Sequence, residues 1–319
     1  MAGKKYQNID ASPVFYLGKA VWSLVRFLFL LCMTFIILYP LVYMLSLSVR
    51  TGGDMYDMSV VWVPKHFTLE NFQLIFDKLD FGTVLANTAL TTAGSIVIQA
   101  FMCALTGYGF GRFTFKFKNV LFVVVLLTII IPPQMVNLPT YLLFKDFDIF
   151  GLIRAVTGQT SGINMLDNIG TLYILALFGQ GIRAGLFILI FMQYFKGMPA
   201  ELEQAAMIDG CGYVKTYLRI MLPNAKGPMI ICALFSMVWY WNDFYTHTTF
   251  FTNIRTVSVT LINMKQSMET VISVEAYDPY KIITIVQAAC ITSILPIVVI
   301  FLLAQKNFTQ SIENTGIVG

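Results

Sequence analysis

The stretch Phe81-Gly-Thr-Val-Leu-Ala-Asn-Thr-Ala-Leu-Thr-Thr-Ala-Gly-Ser-Ile-Val-Ile-Gln-Ala-Phe-Met-Cys-Ala-Leu-Thr-Gly-Tyr-Gly-Phe-Gly111 contains no charged side chain. A helix rises about 1.5 Å per residue and the hydrocarbon core of a bilayer is about 30 Å thick, so about 20 such residues cross it. Five further stretches have the same character. Phe27–Val49, Asn119–Phe144 and Ile282–Gln305 are uncharged, Asn168–Phe195 carries only Arg183, and Gly227–Thr246 carries only Asp243. Such long, continuously apolar runs predict helices, because a membrane barrel needs short alternating strands. The expectation is an all-α integral membrane protein with six transmembrane helices.

Composition agrees. Of 319 residues, 57% are hydrophobic and only 12% charged, and mean hydropathy is +0.73, which leaves too little polar surface for a soluble globule. The first apolar run lacks a small-residue cleavage pattern and reads as a retained anchor. Four of the five cysteines lie in apolar runs and the fifth, Cys211, in a polar loop, so no disulfide framework is expected. Two histidines and no paired cysteines supply no metal-ligand cluster. No Gly-x-x-x-x-Gly-Lys-Ser/Thr loop is present to cradle ATP phosphates. A convergent set of nucleophile and base is also missing, so the chain is not expected to be an enzyme by itself.

Basic residues set the orientation. The segments carrying Lys4, Lys5, Lys19, Arg26, Arg112, Lys116, Lys118, Lys196, Lys215, Arg219, Lys226 and Lys306 fall on one side; they hold twelve basic residues and five acids, against eight and eleven on the other. By the positive-inside rule this side is cytoplasmic, together with both termini. The predicted organisation is a cytoplasmic N-terminal segment at 1–20, a six-helix domain at 21–306 with a cytoplasmic loop at 197–223, and a cytoplasmic tail at 307–319. Three outer segments, Arg50–Asp80, Lys145–Asp167 and His247–Lys281, are long enough to receive a partner from outside.

The loop is Gly197-Met-Pro-Ala-Glu-Leu-Glu-Gln-Ala-Ala-Met-Ile-Asp-Gly-Cys-Gly-Tyr-Val-Lys-Thr-Tyr-Leu-Arg-Ile-Met-Leu-Pro223. Pro199 suits a helix start, Glu201 and Glu203 favour the positive end of its dipole, and Ala205 and Ala206 keep one face narrow. Gly210 and Gly212 permit a turn, and a second helix from about Tyr213 ends near Pro223. The spacing therefore predicts a helix, a turn and a second helix.

The same residues resemble a family motif. Gln204, Ala205, Ala206, Gly210, Ile220, Leu222 and Pro223 match the Glu-Ala-Ala, three residues, Gly, nine residues, Ile-x-Leu-Pro loop of the permeases of binding-protein-dependent ABC importers, with Gln in place of the leading Glu. Val63–Phe72, Ile131–Gln134, Trp241–Phe244 and Arg255–Leu261 are similar to the carbohydrate branch of that family, related to the maltose-type subunit with the short N-terminus. Most of residues 25–310 is covered. The tail Asn314–Gly319 departs from the family's Gly-Ala-x-Lys-Gly-like ending, which places any tail contact with an ATPase in question.

The resemblance implies a type I ABC importer permease in a bacterial cell membrane. It also implies a second, different permease subunit, two ATPase subunits that bind ATP and Mg, and an extracytoplasmic solute-binding protein. Glu201, Glu203, Gln204, Ala205, Ala206, Asp209, Gly210, Ile220, Leu222 and Pro223 would couple to the ATPase. Cargo would be a small oligosaccharide or sugar derivative. Alternatives are a secondary transporter or channel subunit, or an importer of a non-sugar solute.

Sugars are held by aromatic faces, amides and carboxylates in desolvated sites. Trp239 to Tyr245 offer such a set, with Trp241, Asn242 and Asp243 as expected path residues; an aromatic belt at the membrane boundary is the alternative. Pro132, Pro133 and Pro139 break the third span, and Gln134 and Asn137 are expected to line the opening. Arg183 is costly in a membrane unless it faces a cavity or an ion pair. Counted along their spans, its depth and that of Asp243 differ by only several ångströms, so the geometry allows the two to pair.

Overall fold

A computed structural model describes residues 13–158, 160–271 and 278–316. The N-terminal segment expected at 1–20 lies outside them as far as residue 12, as do the last three residues of the tail. Among the described residues the regular elements are helical, with only isolated bridges at Arg50–Phe67 and Phe147–Ile163.

The chain opens with α1 (Pro13–Ser48), then the short α2 (Gly52–Tyr56) and α3 (Glu70–Leu79), and the long α4 (Phe81–Arg112). Next come α5 (Lys118–Ile130), α6 (Pro133–Lys145), α7 (Leu152–Thr157), α8 (Gly170–Leu177) and α9 (Ala184–Gly197). The polar loop holds α10 (Glu201–Ile208), α11 (Tyr213–Thr216), a π-helical turn at Tyr217–Met221 and α12 (Leu222–Asn224). Beyond it lie α13 (Lys226–Trp241), α14 (Tyr245–Phe250), α15 (Val257–Ile262), α16 (Met264–Val271) and α17 (Pro279–Gly316).

Among the described residues, three helices are long and apolar enough to cross a bilayer unaided, within α1, α4 and α17. Two expected spans are broken pairs. α5 and α6 meet at 105°, because Ile131 and Pro132 are extended and Pro133 starts a new helix. Pro139, by contrast, sits inside α6 without ending it. The segment Tyr213–Asn224 meets α13 at 74°. The expected span Asn168–Phe195 is likewise not one helix, since α8 ends at Leu177 and α9 starts at Ala184. At about 1.5 Å per residue, neither α8 nor α9 reaches across about 30 Å alone. The end helices are longer than expected: α1 starts before Phe27, and α17 continues past Gln305.

The described residues group into two compact units. The first joins the chain through Phe72 to Asp278–Ile291. In it Arg50 is only 3% exposed, with no acidic partner among the described residues; its guanidinium donates to the carbonyls of Val60 (3.0 Å) and Val61 (2.6 Å) and to Ser46 Oγ (2.8 Å). The Asn71 amide donates to the carbonyls of Ser48 and Arg50 and accepts from Thr284 Oγ1 at 3.2 Å. Side chains of α1 such as Phe29, Phe35 and Ile37 stay exposed, as lipid or another chain would require.

The second unit holds the main core. Ala100, Cys103, Ala104 and Tyr108 recur on one face of α4, and Phe187, Ile188, Phe191 and Phe195 on one face of α9. Small residues against large ones bring two helices close, the arrangement expected where lipid supplies no hydrophobic drive between helices. The π-helical turn adds Tyr217 and Met221 to the same core, 2% and 0% exposed.

Candidate functional site

A cavity of about 680 Å³ lies in the second unit, within the range of small-molecule sites. α6 contributes Gln134, Asn137 and Thr140; the α8–α9 break contributes Gln180, Gly181 and Arg183; α13 and its continuation contribute Trp239, Tyr240, Asp243 and Tyr245. The proline break thus has a use, because turning α6 aside brings its amides to the wall.

Trp241 and Asn242, expected on the path, are not part of the lining. Trp241 is 6% exposed, packed within the protein, and the Asn242 amide donates to the Val238 carbonyl at 2.8 Å. Trp239 and Tyr240 lie in the last turn of α13, and Asp243 joins the same wall after the helix has ended at Trp241. Trp239 packs against Phe187 and Phe235 at ring separations of 5.5 and 5.7 Å.

Arg183 is the N-cap of α9 and adopts a left-handed backbone, φ 57°. The break that carries it is fixed by buried polar groups. Gln99 of α4 donates through Nε2 to the Ile182 carbonyl (3.0 Å) and to Ser236 Oγ (3.1 Å). Tyr240 Oη donates to Gln99 Oε1 (2.6 Å) and accepts the Ile182 N–H (3.2 Å). Gly181 is required here, because a Cβ would overlap the Gln99 amide and the Tyr240 hydroxyl. Gln99 is 0% exposed. The sequence signal for it was an amide in the middle of an uncharged helix, but nothing local says what it reaches.

The contact between Arg183 and Asp243 that their depths allow is not made. Among the described residues, no ion pair joins them. The guanidinium instead lies over the Trp239 ring, 5.8 Å from its centroid. Asp243 Oδ1 accepts the Thr246 N–H at 3.1 Å, while its Oδ2 is enclosed without a hydrogen-bond partner among the described residues. Similar depth was not enough, since Arg183, with its left-handed backbone, lies on the aromatic wall.

Near the cavity, the segment after α14 is tied to the segment before α8. Asp167 Oδ1 accepts the N–H groups of Thr252, Asn253 and Ile254 at 2.9 to 3.1 Å. Partial burial works against ionisation, yet the Asn253, Ile254 and Thr252 donors outweigh it and hold the carboxyl below the ordinary carboxylate value.

The polar loop connects α9 directly to α13. Glu201 and Glu203 occupy the first turn of α10, and Gly210 makes the turn with φ 80°. Gly212 is extended, φ −71° and ψ 165°, a conformation open to other residues, so it is not needed for the turn. Glu201, Gln204, Ala205, Asp209, Gly210 and Pro223 face outward.

The remaining residues expected to meet an ATPase face inward. Ala206 is 3% exposed and closes α10 against its own chain, and Ile220 and Leu222 pack on the main core. Glu203 is paired with Arg112 at the end of α4, Nε to Oε2 3.4 Å. Arg112 also donates to the carbonyls of Met198 (2.7 Å) and Pro199 (3.3 Å). An exposed apolar pair was missed: Ile208 and Val214, 85% and 73% exposed on either side of the turn.

A helical membrane chain whose surface loop links two cavity-lining helices has the build of a transport permease. It belongs to the family described as binding-protein-dependent transport system inner membrane component, whose profile matches residues 103–314. The chain is 26% identical over 308 residues to the probable ABC transporter permease protein YurM of Bacillus subtilis (strain 168), covering 95% of this chain and 90% of that one. To the maltodextrin transport system permease protein MdxG of the same organism it is 26% identical over 301 residues, covering 92% and 95%. A crystal structure of a bacterial ABC transporter involved in the import of the acidic polysaccharide alginate matches with a TM-score of 0.72 at 19% identity, covering 91% of this chain and 98% of that one. That likeness establishes the fold, that of a type I ABC importer permease.

Proposed function

We propose that this permease forms, with a second and different permease subunit, the membrane path of an ATP-driven importer for a small oligosaccharide or sugar derivative. Two separate ATPase subunits bind ATP and Mg, and an extracytoplasmic solute-binding protein delivers the cargo. In this reading both termini and the 197–223 loop face the cytoplasm, which the distribution of basic residues supports. The outer segments receive the binding protein.

One observation carries this reading. The loop is the direct link between α9, which begins at Arg183 on the cavity, and α13, which ends beside Trp239 and Tyr240 on the same cavity. A push on the loop's outward residues, Gln204, Ala205, Asp209, Ile208 and Val214, therefore moves both helices that shape the wall. ATP-driven closure of the ATPases would in this way change the side to which the cavity opens. The aromatic and amide lining, and relatives such as MdxG whose name states maltodextrin transport, support a saccharide cargo.

The test is uptake by the complete complex in proteoliposomes. Uptake that needs ATP, the ATPases and a loaded binding protein is the expected result. Uptake driven by an ion gradient, or passive flux without ATPase, would instead assign the chain to secondary transporters or channels.

A further inference from the structure

Building on the reading of the cavity as a saccharide path, we propose that it selects acidic saccharides and that Arg183 binds their carboxylate. Arg183 is the one cation among the described residues of the lining. A charge within the membrane is normally neutralised by a neighbour. An acid is available in the same cavity, but the structure keeps Asp243 apart from it.

Stacking on Trp239 occupies one face of the guanidinium and leaves its N–H edge for a planar partner. A carboxylate fits that edge with two parallel hydrogen bonds. The site is also held against backbone preference. A left-handed φ of 57° is unusual for a residue with a side chain, and the Gln99, Tyr240 and Gly181 contacts impose it on the break. The positive end of the α9 dipole adds to the same field.

Asp243 completes the selection. It lines the same cavity, where its charge repels a carboxylate placed at that end and favours the hydroxyl-bearing part of a saccharide. A saccharide bearing one carboxylate and several hydroxyls satisfies both poles in one orientation, which a neutral saccharide does not.

The experiment measures uptake by the complete reconstituted complex. Probes are short oligosaccharides of galacturonate, mannuronate and glucuronate, their neutral methyl esters, and malto-oligosaccharides of equal length. Affinities of the binding protein are measured separately and do not depend on permease variants. We expect at least one acidic probe to enter about tenfold faster than its ester, the size of effect that one charge-assisted hydrogen bond supplies. Arg183→Gln should remove that preference in a complex that still copurifies with its ATPase, and Arg183→Lys should restore part of it. Equal entry of acid and ester, entry of neutral probes alone, or an equal loss of both in Arg183→Gln would overturn the proposal. Entry of no saccharide of either kind, in a complex that transports another solute, would overturn the saccharide reading itself.

Discussion

Two breaks flank α9, and both are anchored on α4 by different chemistry. Before α9, the turn at Phe178–Arg183 is held by neutral hydrogen bonds to Gln99, which is itself fully buried. After α9, the loop is held at Arg112 by an ion pair and two carbonyl contacts. Thirteen residues of α4, about 20 Å of helix, separate the anchors. An amide network fixes a turn without the penalty of a buried charge, whereas the charge pair at the loop keeps 12% and 14% of its side chains exposed, where solvent can compete for it. The inner anchor should therefore define the cavity, and the outer anchor should transmit movement.

The largest expected effect comes from removing the inner anchor. Gln99→Leu leaves the Ile182 carbonyl without its donor and the Tyr240 hydroxyl without its acceptor, at about 1–3 kcal/mol for each such group, and removes one of the contacts of Ser236 Oγ. Thermal stability of the purified complex should fall and uptake should be lost. Wild-type melting and uptake would show that the network does not hold the break.

A smaller effect is expected at the outer anchor. Arg112→Gln leaves Glu203, 14% exposed, without its counter-ion, and should cost about 1–3 kcal/mol, less than a fully buried pair. Uptake per ATP hydrolysed should drop more than stability does, and adding Glu203→Gln should recover part of it. If stability and coupling fell in proportion, Arg112 would be a packing residue and the contrast between the anchors would disappear.

The smallest effect belongs to the turn itself. No atom lies within 4 Å of a Cβ built on Gly210, so Gly210→Val meets only the left-handed backbone penalty, about 1–2 kcal/mol. Insertion should be normal, with weakened coupling of ATP hydrolysis to uptake. A wild-type uptake rate in a fully assembled complex would remove the turn from the account.

The outer anchor and its loop could be read from sequence because their signals are local. Pro199, the first-turn acids, Gly210 and Pro223 lie within one short stretch and each acts on its own backbone. α4 was legible for the same kind of reason, an uncharged run longer than the membrane. The break before α9 was not. Gly179, Gly181 and Arg183 read as an interrupted but continuous span, because the group that opens it, Gln99, is 83 residues away from Ile182.

The aromatic cluster near Trp239 was visible, yet which of its members face the cavity depends on α13 ending at Trp241. Inward packing of Ala206, Ile220 and Leu222 was hidden for a related reason. Matching spacing shows that a residue belongs to the loop, but only the fold shows whether the loop's surface or its support needs it.

The central claim is that events at the loop change access to the cavity. Its most direct measurement places a single cysteine at Asn137, with the native cysteines replaced, in the complete complex in proteoliposomes. Labelling by a membrane-impermeant thiol reagent is then compared from each side, with and without ATP held unhydrolysed. The account predicts that nucleotide transfers reactivity from one side to the other and that Arg112→Gln blunts the transfer. Labelling from the same side at the same rate in every state would contradict it.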